Sequence, residues 1–147
     1  MRELVIYEGG KMSGLSFDEM NNWRFSLSVE LKKIANSIDA DVKLRVINPV
    51  DYYNFEEYRQ QTELEVMNYD LARVKESNLL VVNLEGLTTS IGSMIECYEV
   101  YKNNIPVLVF GSQIDYDNLH PWIKCCITRH DKNYRECINY IRDFYMR

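Results

Sequence analysis

Glu96 has the setting in which a carboxylate could do chemistry. It lies in Thr88-Thr89-Ser90-Ile91-Gly92-Ser93-Met94-Ile95-Glu96-Cys97-Tyr98-Glu99. Helical side chains lean toward the N-terminus, so this carboxylate should reach back over Gly92 and Ser93, where small side chains leave room for a ligand. A glycine early in a helix costs roughly 1 kcal/mol against alanine, which asks for a reason. The plain alternative is a solvated helix glutamate with Gly92 as a loose first turn. A second chemical stretch is Glu8-Gly9-Gly10-Lys11-Met12-Ser13-Gly14-Leu15-Ser16. Its N–H groups and hydroxyls suit a sugar or a phosphate, with Gly9, Gly10 and Ser13 as the candidates. It is neither a P-loop nor a dinucleotide fingerprint, because Leu15-Ser16 follows Gly14 and the glycine spacing differs. Asp70 is the third candidate. It falls at the edge of an apolar stripe, where a carboxylate needs partners or its pKa rises; otherwise it is an exposed edge aspartate.

Metal and redox chemistry find little support. Cys97, Cys125, Cys126 and Cys137 contain no C-x-x-C pair, and the adjacent Cys125 and Cys126 are poorly placed to chelate or to bond each other. With His120 and His130 nearby, a metal site is the lesser alternative to reduced, mostly buried thiols. Reduced thiols, no metal and no cofactor are the expectation.

These residues need elements to hold them. Leu79-Leu80-Val81-Val82-Asn83 is short, branched and bounded by polar residues, as a buried parallel strand should be. The Thr/Ser cluster after it supplies helix N-caps, and Ile91, Ile95, Tyr98 and Lys102 recur at helical spacing with Met94 and Tyr101 on the same face. Residues 3–7 read as a first strand and 17–37 as a helix, with a capping box from Ser16 to Glu19. Its buried stripe is Met20, Trp23, Leu27, Leu31, Ile34 and Ile38, while Arg24 is placed for an ion pair or a phosphate. A half-wet edge strand over 42–47 ends at Asn48-Pro49. The aromatic, polar segment beginning Asp51-Tyr52-Tyr53 suits a lid or a subunit contact. A helix over 55–76 follows, with Leu64, Met67, Leu71 and Val74 inward. Residues 105–110 form another buried strand, 112–122 a polar loop, 125–128 a short last strand, and Tyr134 to Tyr145 the final helix.

This alternation predicts a doubly wound parallel sheet of five strands in the order 2-1-3-4-5, a flavodoxin-like α/β fold in a single domain over 1–147. Strands 1 and 3 then meet at the topological switch point, and the loop at 8–16 faces the helix start at 88–96 across one crevice.

The 147 residues carry a net charge of −5 with no basic stripe, which argues against a nucleic acid polymer as partner. No apolar run approaches a membrane span, and no signal sequence precedes the first strand, so the cytoplasm is the expected address.

Ile6-Tyr7 before Gly9-Gly10, Asn68-Tyr69-Asp70-Leu71 with Val74 and Ser77-Asn78, and Gly92 with Glu96 together resemble the nucleoside 2-deoxyribosyltransferase family over about residues 3–111. That resemblance implies a flavodoxin-like fold and cleavage of the N-glycosidic bond of a 2′-deoxynucleoside or of its 5′-monophosphate. It makes Glu96 the nucleophile that attacks C1′, Tyr7 the phenol that orients it, and Asp70 the proton donor or contact at the base. It also implies transfer to a nucleobase or to water, and a homo-oligomer whose neighbours complete the site. The family's transferase pattern carries an aspartate six residues before the nucleophile, holding the sugar hydroxyls. Ser90 stands there, with no charge and a weaker acceptor. Glu85 or Glu99 would have to make up the difference, or the ligand differs. A binding module that kept the fold and lost part of the site is the competing reading; a flavodoxin-like redox protein is a third.

Overall fold

The structure is a computed structural model and describes residues 1–53, 60 and 62–147. Strands β1 (Arg2–Gly9), β2 (Val42–Ile47), β3 (Leu79–Asn83), β4 (Val107–Phe110) and β5 (Arg129–Asp131) form one sheet in the order β2-β1-β3-β4-β5, with every neighbouring pair parallel. This is the flavodoxin-like arrangement that the alternation predicts. Helices α1 (Phe17–Ser37) and α6 (Tyr134–Tyr145) cover one face. Helices α2 (Glu63–Lys75), α3 (Ile91–Lys102) and the short α5 (Pro121–Cys126) cover the other.

The β1 side chains show why the sheet is buried on both sides. Leu4 and Ile6 pack with Leu27, Leu31, Ile138 and Ile141, while Val5 and Tyr7 pack with Val74, Cys97 and Val100. Such a strand reads as a continuous apolar run because neither face meets water. The expected capping box of α1 is present: Ser16 accepts from the Glu19 N–H, and the Glu19 carboxylate accepts from the Ser16 N–H. Asn78 extends the sheet beyond its backbone ladder, giving an N–H to Val5 and taking one from it through its side chain, each at 2.7 Å. That part of the family-like pattern has a structural use.

Four expectations need correction. The strand proposed at 125–128 lies at Arg129–Asp131, and Cys125-Cys126 end α5, which begins at Pro121. Proline at the first helical turn, with the His120 ring accepting from the Trp122 N–H, starts a helix there. The supposed loop 112–122 contains another short helix, α4 (Gln113–Asp117). The inward face of α3 is not Ile91, Ile95, Tyr98 and Tyr101, which are exposed, but Ser93, Cys97 and Val100. Small and compact residues let this helix lie close to the sheet, and its larger side chains turn outward. On α2 only Val74 of the expected stripe is fully buried, whereas Leu64 and Met67 are exposed and Leu71 is partly covered. The first part of the helix expected over 55–76 lies outside the described residues.

Candidate functional site

Three elements deliver the site. β1 continues two residues beyond the expected 3–7, because Glu8 and Gly9 pair with Val81 and Val82 of β3. The chain then turns at Gly10, whose φ of 149° suits glycine and whose missing Cβ leaves space beside Trp23. Beyond β3, Gly86 takes a left-handed φ of 74°, and the Lys11 side chain lies across it; a Cβ there would meet Lys11 Cδ at 2.8 Å. Lys11 Nζ goes on to donate to Thr89 Oγ1 at 2.9 Å. The two loops are thereby fastened across the crevice at the switch point.

Between them lies a pocket of about 550 Å³. Its wall comes from Tyr7, Gly9, Gly10 and Ser13 on one side and Ser90, Gly92, Ser93 and Glu96 on the other. Met67, Asp70 and Leu71 of α2 close the third side. Eight of the nine residues expected at the site therefore line one cavity. Glu85 does not: it is exposed at the turn after β3 and is not part of the lining. Glu99 is also elsewhere, ion-paired with Lys75 and Lys102. Neither carboxylate replaces the missing aspartate at position 90.

Ser90 occupies the N-cap position of α3 but makes no side-chain bond to the helix backbone; its hydroxyl shares a 2.7 Å hydrogen bond with Ser93. The first N–H groups of this helix are thus left without a side-chain cap beside the pocket, where a helix N-terminus favours an anion.

The electrostatics concentrate on two carboxyls. Although Glu96 as a residue is only partly buried, its carboxyl is deep enough that burial dominates and pushes its pKa up to about 8. The Tyr7 phenol and the charge of Arg24 pull it down, while Asp70 pushes it up. Asp70 is raised too, chiefly by burial, against hydrogen bonds from Tyr53 and Tyr52. Tyr7 is fully buried and held far above the usual phenol range, mainly by burial and then by Glu96, so it remains a donor.

Sequence reasoning missed two groups. Tyr52 and Tyr53, at the end of a 3-10 turn (Pro49–Tyr52), both donate to Asp70 Oδ1. The Asn48-Pro49 break was visible, but a turn of this kind carries no periodicity that would aim its side chains. Arg24 was seen only as an ion-pair or phosphate candidate. It is fully buried, lines the pocket, and donates to the backbone carbonyls of Glu8, Gly10 and Met20. It braces the glycine turn while leaving positive charge near Glu96.

The fold and this crevice define a flavodoxin-like α/β protein with its pocket at the strand switch point. Among solved structures, the chain is similar to a conserved protein from Enterococcus faecalis V583, with a TM-score of 0.74 and 16% identity over 96% of this chain and 98% of that one. It also aligns with a type II dehydroquinase from Propionibacterium acnes, with a TM-score of 0.49 and 10% identity over 97% and 99% of the two chains. At these identities the first likeness concerns the fold, and the second carries no argument. No family model and no curated protein matches the sequence.

Proposed function

We propose that this protein cleaves the N-glycosidic bond of a 2′-deoxynucleoside or its 5′-monophosphate and passes the deoxyribosyl group to another base or to water. The observation that carries this reading is the convergence of Tyr7, Asp70 and Glu96 from three elements on one pocket, with Asp70 shifted upward, as an acid at the leaving base needs, and Arg24 favouring the anion on Glu96. Glu96, ionised, attacks C1′ as the glycosidic bond lengthens; protonated Asp70 gives its proton to the departing base. The glycosyl ester is then opened by the acceptor, whose proton returns to Asp70. An oxocarbenium-like transition state draws on both groups, one anion beneath the sugar and one acid at the base.

A nucleotide is the favoured form of the substrate. Ser90 offers no charge to a sugar hydroxyl, whereas Ser13, Ser90, Ser93 and the uncapped start of α3 suit a 5′-phosphate. The reading includes a homo-oligomer. Ile91, Ile95 and Tyr98 on α3 and Leu64 and Met67 on α2 leave large apolar side chains exposed on two adjacent helices.

The test is a panel of deoxynucleosides and deoxynucleotides, with and without an acceptor base, followed by chromatography. Glu96→Ala should lower turnover by ~10³-fold or more while binding persists, because the charge it meets develops only in the transition state. Equal cleavage by wild type and variant would remove the mechanism. Binding without any cleavage by the wild type would favour the nucleotide-binding module, the reading that Ser90 and the displaced Glu85 support.

A further inference from the structure

Asp70 and Glu96 sit on different helices, yet one line of hydrogen-bonding groups joins them. The Tyr52 hydroxyl lies 2.9 Å from Asp70 Oδ1 and 3.1 Å from the Tyr7 hydroxyl, and in the Tyr7–Tyr52 contact either oxygen can donate. Tyr7 lines the same pocket as Glu96 and is the neighbour that most strongly favours its ionised form. The Tyr52 ring is held against Tyr53 and edge-on to Tyr69, so its hydroxyl is aimed by packing.

We propose that Tyr52 is a positioning residue that couples the ionisation of the two carboxyls: Asp70–Tyr52–Tyr7–Glu96 is a reversible hydrogen-bond chain that points toward whichever carboxyl is negative. Its use in catalysis rests on the glycosidic-bond reading; its existence does not.

With one proton between the two carboxyls, the chain has two forms. In the first, the Asp70 carboxylic acid donates to Tyr52, Tyr52 donates to Tyr7, and Tyr7 donates to the Glu96 carboxylate. In the second every donor is reversed: Glu96 donates to Tyr7, Tyr7 to Tyr52, and Tyr52 to the Asp70 carboxylate. Passing from one to the other moves each proton one oxygen along and transfers one net proton from Asp70 to Glu96. No phenolate forms, in keeping with phenols held far above their usual range.

The first form is the one poised to react, with an anionic nucleophile at Glu96 and, on Asp70, the one proton, which turns from Tyr52 to the base as the glycosidic bond breaks. Once Glu96 is esterified and the base has left with the Asp70 proton, Asp70 is the anion. Tyr7 and Tyr52 then turn toward it, and with Tyr53 as a second donor it is held ready to take a proton from the acceptor. Cooperative donation along such a chain strengthens the terminal bond, so each carboxylate is stabilised by a phenol it does not touch.

Among the described residues, these groups face the pair. Glu96 meets Tyr7 of β1, Arg24 of α1, Asp70 of α2 and Tyr53 of the 3-10 turn, and Cys97 adjoins it on α3. Asp70 meets Tyr52 and Tyr53, and Glu63 lines the pocket on the same helix. Arg24 favours the anion on Glu96 and Tyr53 favours it on Asp70.

The test is a pH titration of the full chain, without ligand, following the ¹³C-labelled carboxyls of Asp70 and Glu96 by NMR. Tyr52→Phe keeps the ring and deletes the hydroxyl. The chain requires the Glu96 midpoint to rise by about half a pH unit or more, because Tyr7 loses the donor that strengthens it. Through-space repulsion alone gives the opposite sign: losing Tyr52 leaves Asp70 neutral more often, and Glu96 then ionises more easily. A Glu96 midpoint that falls or stays put overturns the proposal. If Tyr52→Phe does not fold, Tyr7→Phe gives the mirror test, in which the chain raises the Asp70 midpoint and repulsion alone lowers it. In the turnover assay, the acid limb of the Tyr52→Phe profile should follow Glu96, with kcat falling more than KM rises. A wild type that cleaves nothing in the panel defeats the glycosidic reading, while the titration still judges the chain.

Discussion

Ser90 stands where the resemblance would put an aspartate, and one substitution separates two explanations of it. Its hydroxyl is engaged with Ser93 and leaves the α3 backbone without a side-chain cap. Ser90→Asp introduces a stronger acceptor for sugar hydroxyls and a good N-cap in one step. With a deoxynucleoside as ligand, kcat/KM should increase; with a 5′-phosphate at the helix start, the added negative charge should weaken nucleotide use by roughly tenfold, the scale of one unfavourable contact of about 1.4 kcal/mol. Parallel kcat/KM measurements on both substrates decide, and no change in either removes Ser90 from the ligand contacts. At this scale Glu96 was marked by its place one turn into a helix that follows a buried strand, whereas Tyr7 was marked only by the family resemblance and Asp70 by that resemblance and its place at the edge of an apolar stripe. Tyr52 and Tyr53 were visible only as an aromatic segment, since nothing in Asp51-Tyr52-Tyr53 says which way a 3-10 turn will point.

At the scale of elements, the reading succeeded where burial was two-sided and failed where it was shared with an open face. β4 is apolar throughout and β3 is apolar up to Asn83, and both were found at once. α3 was found with its face misassigned, because size was taken for burial: Cys97 and Val100 are inside, while Tyr98 is 51% exposed. β5, only three residues long, reads Arg-His-Asp and carries no apolar signal; it is fixed by the ladder to β4. The apolar side chains exposed on α2 and α3 give a prediction of their own. If a second copy covers them, Tyr98→Glu should place a charge in the contact and reduce the mass measured by light scattering at a given concentration. An unchanged mass would put any interface elsewhere. Tyr98 is outside the pocket lining, so a fall in turnover accompanying dissociation would tie activity to assembly.

Over the whole molecule, the pH dependence of stability is set partly by a carboxyl outside the pocket lining. Glu8 points to the α1 face of the sheet and is fully buried; Ser28 donates to one oxygen, and the other has no hydrogen-bond partner among the described residues. Burial, the largest influence, pushes its pKa up to about 8, with Ser28 and Arg24 pulling down. A folded pKa above the unfolded one means that the folded state binds the proton more tightly. Its stabilising effect is full below the ordinary glutamate range and is lost as pH rises toward about 8. Within that window this group alone costs up to about 1.4 kcal/mol per pH unit. Glu8→Gln should therefore raise the melting temperature at pH 8, leave it little changed near pH 4, and flatten the profile between. Equal profiles for the two proteins would mean that Glu8 titrates normally. The sheet order itself was legible, because alternating strands and helices leave few parallel topologies open.

The position of β1 between β2 and β3 carries a consequence for how the chain comes together. As synthesis proceeds, β1 emerges first and can pair with β2 within about fifty residues, but its other edge waits for Leu79–Asn83. Until then Tyr7 has no Glu96, and the apolar row from Leu4 to Tyr7 has half its cover. The pocket is thus a product of the longest-range strand pairing in the sheet, and a growing chain completes it only after the central ladder has zipped.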